Sequence, residues 1–260
     1  MSKTVRQLIV FGAPLLVGIL NLFHPVHFEP TGVYDAVQSR VVWWITLHIL
    51  NLLGFPLLAL SAYLLINSEQ GSAAKVARIA LAIFIPTYTG FDSIIGIGTG
   101  NLIQYAKTLQ LDQLPILKSA IDAFWSNNVA IALAIIGSVA WSVSMFAIAV
   151  NFAEPGRRPA LIVLSVAAGA FTGWGYSSSS FGSLPWWIGV IAIGLIAFVI
   201  ARPSLTPTLL ILSGVLFGTT HVVPFGPLGM VSLIGAIALI ESERSKFRIP
   251  ARMAAVSSQS

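Results

Sequence analysis

The side chains in this chain that can do chemistry are four histidines and one aspartate: His24, His27, His48, His221 and Asp92. Imidazole takes up and releases a proton near neutral pH and is the commonest metal ligand in proteins. A carboxylate beside it serves as a base, as an orienting partner or as a further ligand. We expect all five residues to lie towards one side of a membrane, so the sequence predicts a single polar site there.

Two members of this group fall inside predicted transmembrane helices at similar depth. His48 lies about seven residues from the outer end of its helix and Asp92 about eight, hence ~10 and ~12 Å deep at 1.5 Å per residue. An unpaired acid in a bilayer costs on the order of 3 kcal/mol, so we expect His48 to partner it. Asn51 and Tyr88 lie one turn away on the same helix faces. These four side chains predict a proton relay or an acid–base pair, with a purely structural network as the alternative.

The remaining histidines suit a metal ion. His24 and His27 flank Pro25 in a predicted turn, and Glu29 follows two residues later. Imidazoles and a carboxylate at this spacing can bind zinc or another divalent ion. His221 should emerge on the same side, which gives a predicted metal set of His24, His27, His221 and Glu29. The segments that begin at His24 and His221 share the pattern H-x-V-x-F-x-P-x-G, which favours two similar turns around one site.

The elements that position these residues are apolar helices. Hydrophobic residues make up 56% of the 260 residues and charged residues 9%, whereas soluble domains carry about 25% charged residues. Apolar runs of about 20 residues are typical of transmembrane helices, so the sequence predicts an all-α, polytopic membrane bundle. Small-xxx-small pairs, such as Gly96 with Gly100 and Gly214 with Gly218, indicate close helix packing. We predict eight spans, at 7–23, 41–66, 76–99, 128–152, 160–177, 185–201, 204–223 and 224–241.

Charge distribution predicts the orientation of the bundle. With a cytoplasmic N-terminus, 11 of the 14 lysines and arginines fall in inside segments and only Arg40, Lys107 and Lys118 fall outside. This positive-inside bias predicts that both termini are cytoplasmic, in a multi-pass protein of the cell membrane. Residues 1–241 form one predicted transmembrane domain, with an amphipathic segment near 102–126 on the outer surface. Residues 242–260 form a predicted basic, disordered cytoplasmic tail.

Several function classes are excluded or favoured by these features. The chain has no cysteine, which excludes disulfides and thiolate chemistry. Its basic residues are spread over short loops, so we expect membrane lipids and a small apolar or lipid-like ligand as partners, and no nucleic acid.

The predicted site favours an outward-facing membrane enzyme, metal-assisted or acid–base, that acts on a lipid or another apolar substrate. A non-catalytic membrane subunit is the first alternative, including a haem-binding variant with His48 and His221 as ligands. A proton-coupled transporter that uses His48 and Asp92 is the second. No polar lining is predicted in the inner half, which disfavours transport.

Overall fold

A computed structural model gives the fold and describes residues 1–25, 32–110, 112–178, 183–202 and 204–257. Within these ranges the chain is helical apart from short connections and has no strand, which confirms the all-α prediction. A 3-10 turn (Gln38–Arg40) precedes α3, and a π-helical segment (Asp92–Gly98) joins α4 to α5. The helices are α1 (Lys3–Leu22), α2 (Val33–Val37), α3 (Val41–Ile66), α4 (Ser72–Phe91), α5 (Thr99–Ala106), α6 (Leu114–Trp125), α7 (Asn128–Asn151), α8 (Arg158–Ser178), α9 (Leu184–Ala201), α10 (Thr206–Thr219) and α11 (Phe225–Ser257).

Polar capping residues set where three of the long helices begin. Ser2, Asn127 and Ser183 each accept a hydrogen bond from the backbone N–H three residues later, at 3.3, 2.8 and 3.4 Å. Such a bond satisfies one of the donors that the first helical turn leaves without an intrahelical partner. Local sequence therefore fixes the starts of α1, α7 and α9, and the apolar runs behind them supply the helix interiors.

The lengths and apolar composition of the helices are those of a membrane protein. Six stretches of the described residues are long and apolar enough to cross a membrane: Lys3–Leu22, Val33–Ile66, Ser72–Ala106, Leu114–Asn151, Leu184–Ala201 and Phe225–Ser245. These stretches indicate a membrane protein. The apolar helix α10 has only 14 residues, about 21 Å at 1.5 Å per residue, which is short of the ~30 Å hydrocarbon core. Each of the eight predicted segments coincides with a helix, while the count of eight full spans and the orientation of the termini stay predictions.

The end of the chain continues the last helix. α11 runs to Ser257 and so passes residue 241, the predicted end of the membrane domain. The division of the chain at that residue into a domain and a tail stays a prediction.

The bundle is centred on α7, which packs against α4 and α10, while α1 packs against α3 and α11. Glycines allow the closest approaches: a Cβ at Gly214 would meet Phe146 of α7, and a Cβ at Gly218 would overlap Ser142. A cluster of fully buried aromatic rings fills the centre, namely Phe55, Phe84, Trp141 and Phe217. Small residues at α10 and large rings beside them therefore fix how these helices meet.

Short helices cover one end of the bundle. The segment predicted near 102–126 comprises α5, a turn and α6, and its apolar face packs on α2. Asp122 accepts a hydrogen bond from the Val33 N–H at 3.0 Å, and Lys118 pairs with Asp35 at 2.8 Å. We refer to α2, the 3-10 turn, α5 and α6 as the cap. The cap contacts Trp44 of α3 through Trp125, whose ring centroid lies 5.9 Å from that of Trp44.

Candidate metal centre

Three histidines and one aspartate from separate parts of the sequence meet beneath the cap. His24 follows the end of α1, His48 belongs to α3, Asp92 opens the π-helical segment and His221 follows α10. Their exposed fractions are only 7%, 2%, 1% and 5% respectively. The sequence prediction that these four residues lie close together is therefore met by the geometry. We refer to them below as the His/Asp cluster.

Backbone carbonyls hold two of the imidazoles in one tautomer. Nδ1 of His48 lies 2.7 Å from the carbonyl oxygen of Trp44, and Nδ1 of His24 lies 2.8 Å from that of Pro25. A carbonyl oxygen can only accept, so each Nδ1 carries the proton and donates it. The lone pair is then on Nε2, which is the atom that faces the cluster. An imidazole held in this way is arranged as a metal ligand.

A tyrosine holds the third imidazole. The hydroxyl of Tyr88 lies 3.0 Å from Nδ1 of His221 and leaves Nε2 of that ring towards Asp92. A hydroxyl can donate or accept, so this contact orients the ring without fixing its tautomer. Tyr88 therefore joins the cluster through His221, and not through the His48–Asp92 pair from which the sequence prediction started.

The atoms that face one another in the cluster are too far apart for hydrogen bonds. Asp92 Oδ1 lies 3.8 Å from Nε2 of His48 and 3.9 Å from Nε2 of His221. Both carboxylate oxygens, and the Nε2 atoms of His24 and His221, are buried with no hydrogen-bond partner among the described residues. Each such polar group costs about 1–3 kcal/mol when it is left unsatisfied. Four of them at one point are a strong indication of a ligand that contacts all of them.

The spacing of these donors suits a single metal ion. The ring of His24 lies 5.2 Å from that of His48 and 5.1 Å from that of His221, measured between centroids. The nitrogen donors of the three rings all lie within 4.8 Å of one another. Ligands of a tetrahedral zinc at ~2.0–2.1 Å are ~3.3 Å apart, so the donors would approach one another by up to about 1.5 Å to hold one ion.

The protonation state of His24 is compatible with metal binding. Burial lowers the pKa of His24, which follows the first helix, to about 4, although its hydrogen bond to the Pro25 carbonyl acts in the opposite direction. The ring is therefore neutral at physiological pH, and its Nε2 lone pair is available. A neutral imidazole is the form that coordinates a metal.

The π-helical segment and a glycine position Asp92 against α3. A Cβ at Gly96 would overlap the imidazole of His48, so only glycine lets this ring lie against the segment. The carbonyl oxygen of Gly96 accepts a hydrogen bond of 2.7 Å from the indole of Trp44. π-helical turns are rare and frequent at functional sites. Here the π-helical turn places the Asp92 carboxylate and Gly96, against which the His48 ring packs, on the face that meets α3.

Trp44 is a residue of this site that sequence reasoning missed. Its ring lies 5.1 Å from His24 and 4.4 Å from His48, and its carbonyl anchors the latter. The signal was available, because residues 44 and 48 are four apart and so share a helix face. Trp44 is 1% exposed and so belongs to the interior of the site.

Three further residues of the predicted site have different positions. Asn51 is buried on the His48 side of α3, and its amide group approaches Asn21 of α1 at 3.5 Å. His27 and Glu29 lie outside the described residues, so their predicted role as metal ligands stays a prediction. Within the described residues, the carboxylate beside the imidazoles is that of Asp92.

Comparisons with known protein families, with curated proteins and with solved structures give no match to this chain. The function of the site is therefore inferred from its own geometry and chemistry.

Proposed function

We propose that His24, His48 and His221 bind a divalent metal ion beside Asp92, and that the protein is a membrane enzyme that uses this metal to act on a lipid. The observation that carries the proposal is the group of four buried nitrogen and oxygen atoms that face one another without hydrogen-bond partners. A metal ion satisfies all of them at once. With eight spans and both termini in the cytoplasm, the site opens on the extracytoplasmic side.

The donor set favours zinc among the divalent ions. Imidazole nitrogens suit zinc, copper, iron and nickel, whereas magnesium and calcium prefer all-oxygen sites. Three imidazoles with one further position are a typical arrangement of catalytic zinc. The burial of the cluster excludes bulk water from competing for the ion.

The residues divide into ligands, a base and positioning groups. When bound, zinc polarises a carbonyl or phosphoryl oxygen and lowers the pKa of a water molecule to about 7. The Nε2 atoms of the three histidines would hold such an ion, and the Asp92 carboxylate, which lies 3.8 and 3.9 Å from two of them, would accept a proton from a water molecule beside it. Tyr88 and the Trp44 carbonyl orient two of the rings through their Nδ1 atoms. Asn51, one turn from His48, extends the polar surface of α3 towards α1.

Metal analysis of the purified protein in detergent tests the first half of the proposal. We expect about one zinc per chain in the native protein, and loss of that zinc in His48→Ala and in His221→Ala. Ser61→Ala is the matched control, because Ser61 is a fully buried polar residue of the same helix α3 that bonds to Val10 instead. Unchanged zinc content in both histidine variants would contradict the proposal.

Variants of His24 and His27 test which of these two histidines is the metal ligand. We expect His24→Ala to lose zinc and His27→Ala to keep it, because His24, His48 and His221 already supply the three protein ligands of a catalytic zinc site. Loss of zinc in His27→Ala with retention in His24→Ala would show that His27, and not His24, is the ligand.

A turnover measurement tests the second part of the proposal, that the protein acts as an enzyme on a lipid. Zinc-loaded protein is incubated with a total membrane lipid extract, and lipid products are followed by mass spectrometry. We expect new hydrolysis products, and their loss in Asp92→Asn with the zinc retained, because the amide cannot accept the proton. Products formed at the native rate by Asp92→Asn would overturn the role of Asp92.

A non-catalytic metal site is the second candidate, and the deep burial of the cluster is the observation that favours it. Structural zinc sites are closed, whereas catalytic sites keep one position open to substrate. This candidate predicts zinc binding and zinc-dependent stability with no lipid product. The haem variant predicts a Soret band in the absorption spectrum, which bound zinc alone does not give.

Proton-coupled transport receives the least support. Aromatic rings pack directly beside the cluster, with Phe55 5.8 Å from the His221 ring and Phe84 6.2 Å from Phe55. A pathway for protons or solutes needs polar groups or water at this level. The geometry therefore favours a site with one point of access over a channel through the bundle.

A further inference from the structure

A long apolar cavity runs along α7 between α4 and α8. Its volume is about 1070 Å³. Its wall extends along α7 from Ile131 to Val150, which is ~28 Å at 1.5 Å per residue. That length is close to the ~30 Å thickness of the hydrocarbon core of a bilayer. The cavity thus has the length of one membrane crossing.

One side of this cavity adjoins the His/Asp cluster. Phe91 and Ile95 both line it, and they lie immediately before and three residues after Asp92. The ring of Phe91 is 6.3 Å from that of His221, measured between centroids. Phe91 thus borders the cavity and also lies beside an imidazole of the cluster.

The lining offers a ligand almost no polar partners. The hydroxyl of Ser142 donates to the Gly214 carbonyl at 2.9 Å, that of Ser165 to Leu161 at 2.7 Å, and that of Thr172 to Ala168 at 2.9 Å. The other lining residues along α7 and α8 are apolar or small, with Ile135, Val139, Ile162 and Val166 exposed at the mouth. A sugar, nucleotide or ion would lose its hydration here without gaining hydrogen bonds in exchange. A hydrocarbon chain has no such hydration to lose.

The cavity is large enough for a lipid chain. Carbon atoms in contact are about 3.5–4.0 Å apart, so an extended hydrocarbon chain is a rod ~4.5 Å across that fills roughly 450 Å³ over the length of the cavity. The length of the cavity, its apolar wall and its position beside the His/Asp cluster together favour a lipid chain as the occupant.

We propose that this cavity binds the acyl chain of a membrane lipid, with the polar end of that lipid at the His/Asp cluster. The position of the polar end rests on the proposed function, whereas the binding of the chain does not. Entry is lateral, between α7 and α8, where the exposed apolar side chains face the bilayer. The substrate of the enzyme is then a lipid whose reactive bond lies at the junction of head group and chain.

Gly169 of α8 provides a precise way to fill the cavity. It lines the cavity, and a Cβ there would meet no heavy atom of the described residues within 4 Å. Gly12 of α1 has equally open surroundings but lies outside the lining. Gly169→Trp and Gly12→Trp are therefore matched variants, since each adds an indole to a transmembrane helix and only the first blocks the cavity. Ala134→Phe, from the opposite wall, is a second blocking variant should Gly169→Trp fail to fold.

The probe is octadecanoic acid with a photoreactive diazirine at mid-chain, added to the purified protein in detergent. Crosslinked peptides are mapped by mass spectrometry, and zinc content is measured on the same samples. We expect labels concentrated on the cavity walls of α7 and α8, well above the labelling of Val199 on the exposed face of α9. Gly169→Trp should lose most of the wall labelling, and Gly12→Trp should retain it.

Two outcomes overturn the proposal: wall labelling no higher than that of Val199, or wall labelling that both blocking variants leave unchanged. The zinc measurement keeps the two proposals distinguishable. Native protein without zinc but with blockable wall labelling contradicts the metal enzyme and supports the lipid cavity. Native protein with zinc but with uniform labelling does the reverse.

Discussion

Glycine 96 matters to the site as much as the ligands do. It has no chemistry of its own, yet any side chain there would occupy the space of the His48 imidazole. Its carbonyl also receives the indole N–H of Trp44, so a single residue supports two neighbours of the cluster. Close approach of this kind is the reason for a glycine inside a transmembrane helix, where it otherwise lowers helix stability.

Replacing Gly96 by alanine should weaken metal binding while the bundle still forms. The added methyl group displaces the His48 ring, and a displaced first ligand costs roughly ten- to a hundredfold in affinity. Zinc affinity is measured by competition with a chelating dye. Gly12→Ala, where the methyl group meets open space, is the control, and equal affinity in the two variants would contradict this role of Gly96.

Replacing Tyr88 by phenylalanine tests the orientation of His221. The aromatic packing against Phe55 and Phe84 is kept, and only the hydroxyl at 3.0 Å from Nδ1 is lost. We expect a roughly tenfold loss of zinc affinity, the usual effect of removing a group that orients a metal ligand. Tyr63→Phe, at a 40% exposed site of α3, should leave affinity unchanged; a native affinity in Tyr88→Phe would limit Tyr88 to packing.

At the scale of elements, the cap restrains the helix ends that carry the ligands. Asp122 of α6 holds the first N–H of α2, and a cluster of apolar side chains from α2, α3, α5 and α6 fills the space between them. Trp44 belongs to that cluster and also contacts His24 and His48. Movements of the cap are therefore transmitted to two of the imidazoles.

Loosening the cap should speed up the release of the metal. Asp122→Ala removes the acceptor of the Val33 N–H, and we expect zinc transfer to a strong chelator to become severalfold faster. Lys118→Ala should have little effect, because its ion pair with Asp35 is about one-third exposed on each side (34% and 35%) and such pairs contribute under about 1 kcal/mol. Equal acceleration in both variants would show that the cap does not act through the Asp122 hydrogen bond.

Part of the arrangement of the helices could be predicted from the sequence. Depth along the helices was enough to predict that His48 and Asp92 lie close together, because consecutive helices place equal depths side by side. Two features were out of reach. The π-helical turn at Asp92 leaves no mark in the apolar pattern, and the spacing of the histidines does not reveal that Nδ1 of His24 bonds to the Pro25 carbonyl. Sequence patterns therefore predicted which residues form the His/Asp cluster, but not which of their nitrogen and oxygen atoms face one another.

At the scale of the whole molecule, the ligands tie together parts of the chain that are far apart in sequence. In sequence, His24 and His221 are separated by most of the bundle, while α1 and α10 both pack against α11. The eight predicted segments all proved helical, yet the short α10 shows why apolarity alone does not count spans. Its length is set by a turn that delivers His221 to the cluster, not by the thickness of a bilayer.

Metal removal should therefore destabilise the entire bundle. A ligand present at 1,000 times its Kd stabilises the folded state by about 4 kcal/mol, so chelation should lower the midpoint of thermal unfolding of the native protein by several degrees. The same treatment should leave the midpoint of His48→Ala unchanged, because that variant has no complete site. An identical decrease in both proteins would mean that the chelator acts elsewhere.

The separation of His24 from His221 also orders events during biosynthesis. His221 follows His24 by 197 residues, so a ribosome releases it much later. In the proposed metal site, zinc binding is therefore completed only after α10 has packed into the bundle.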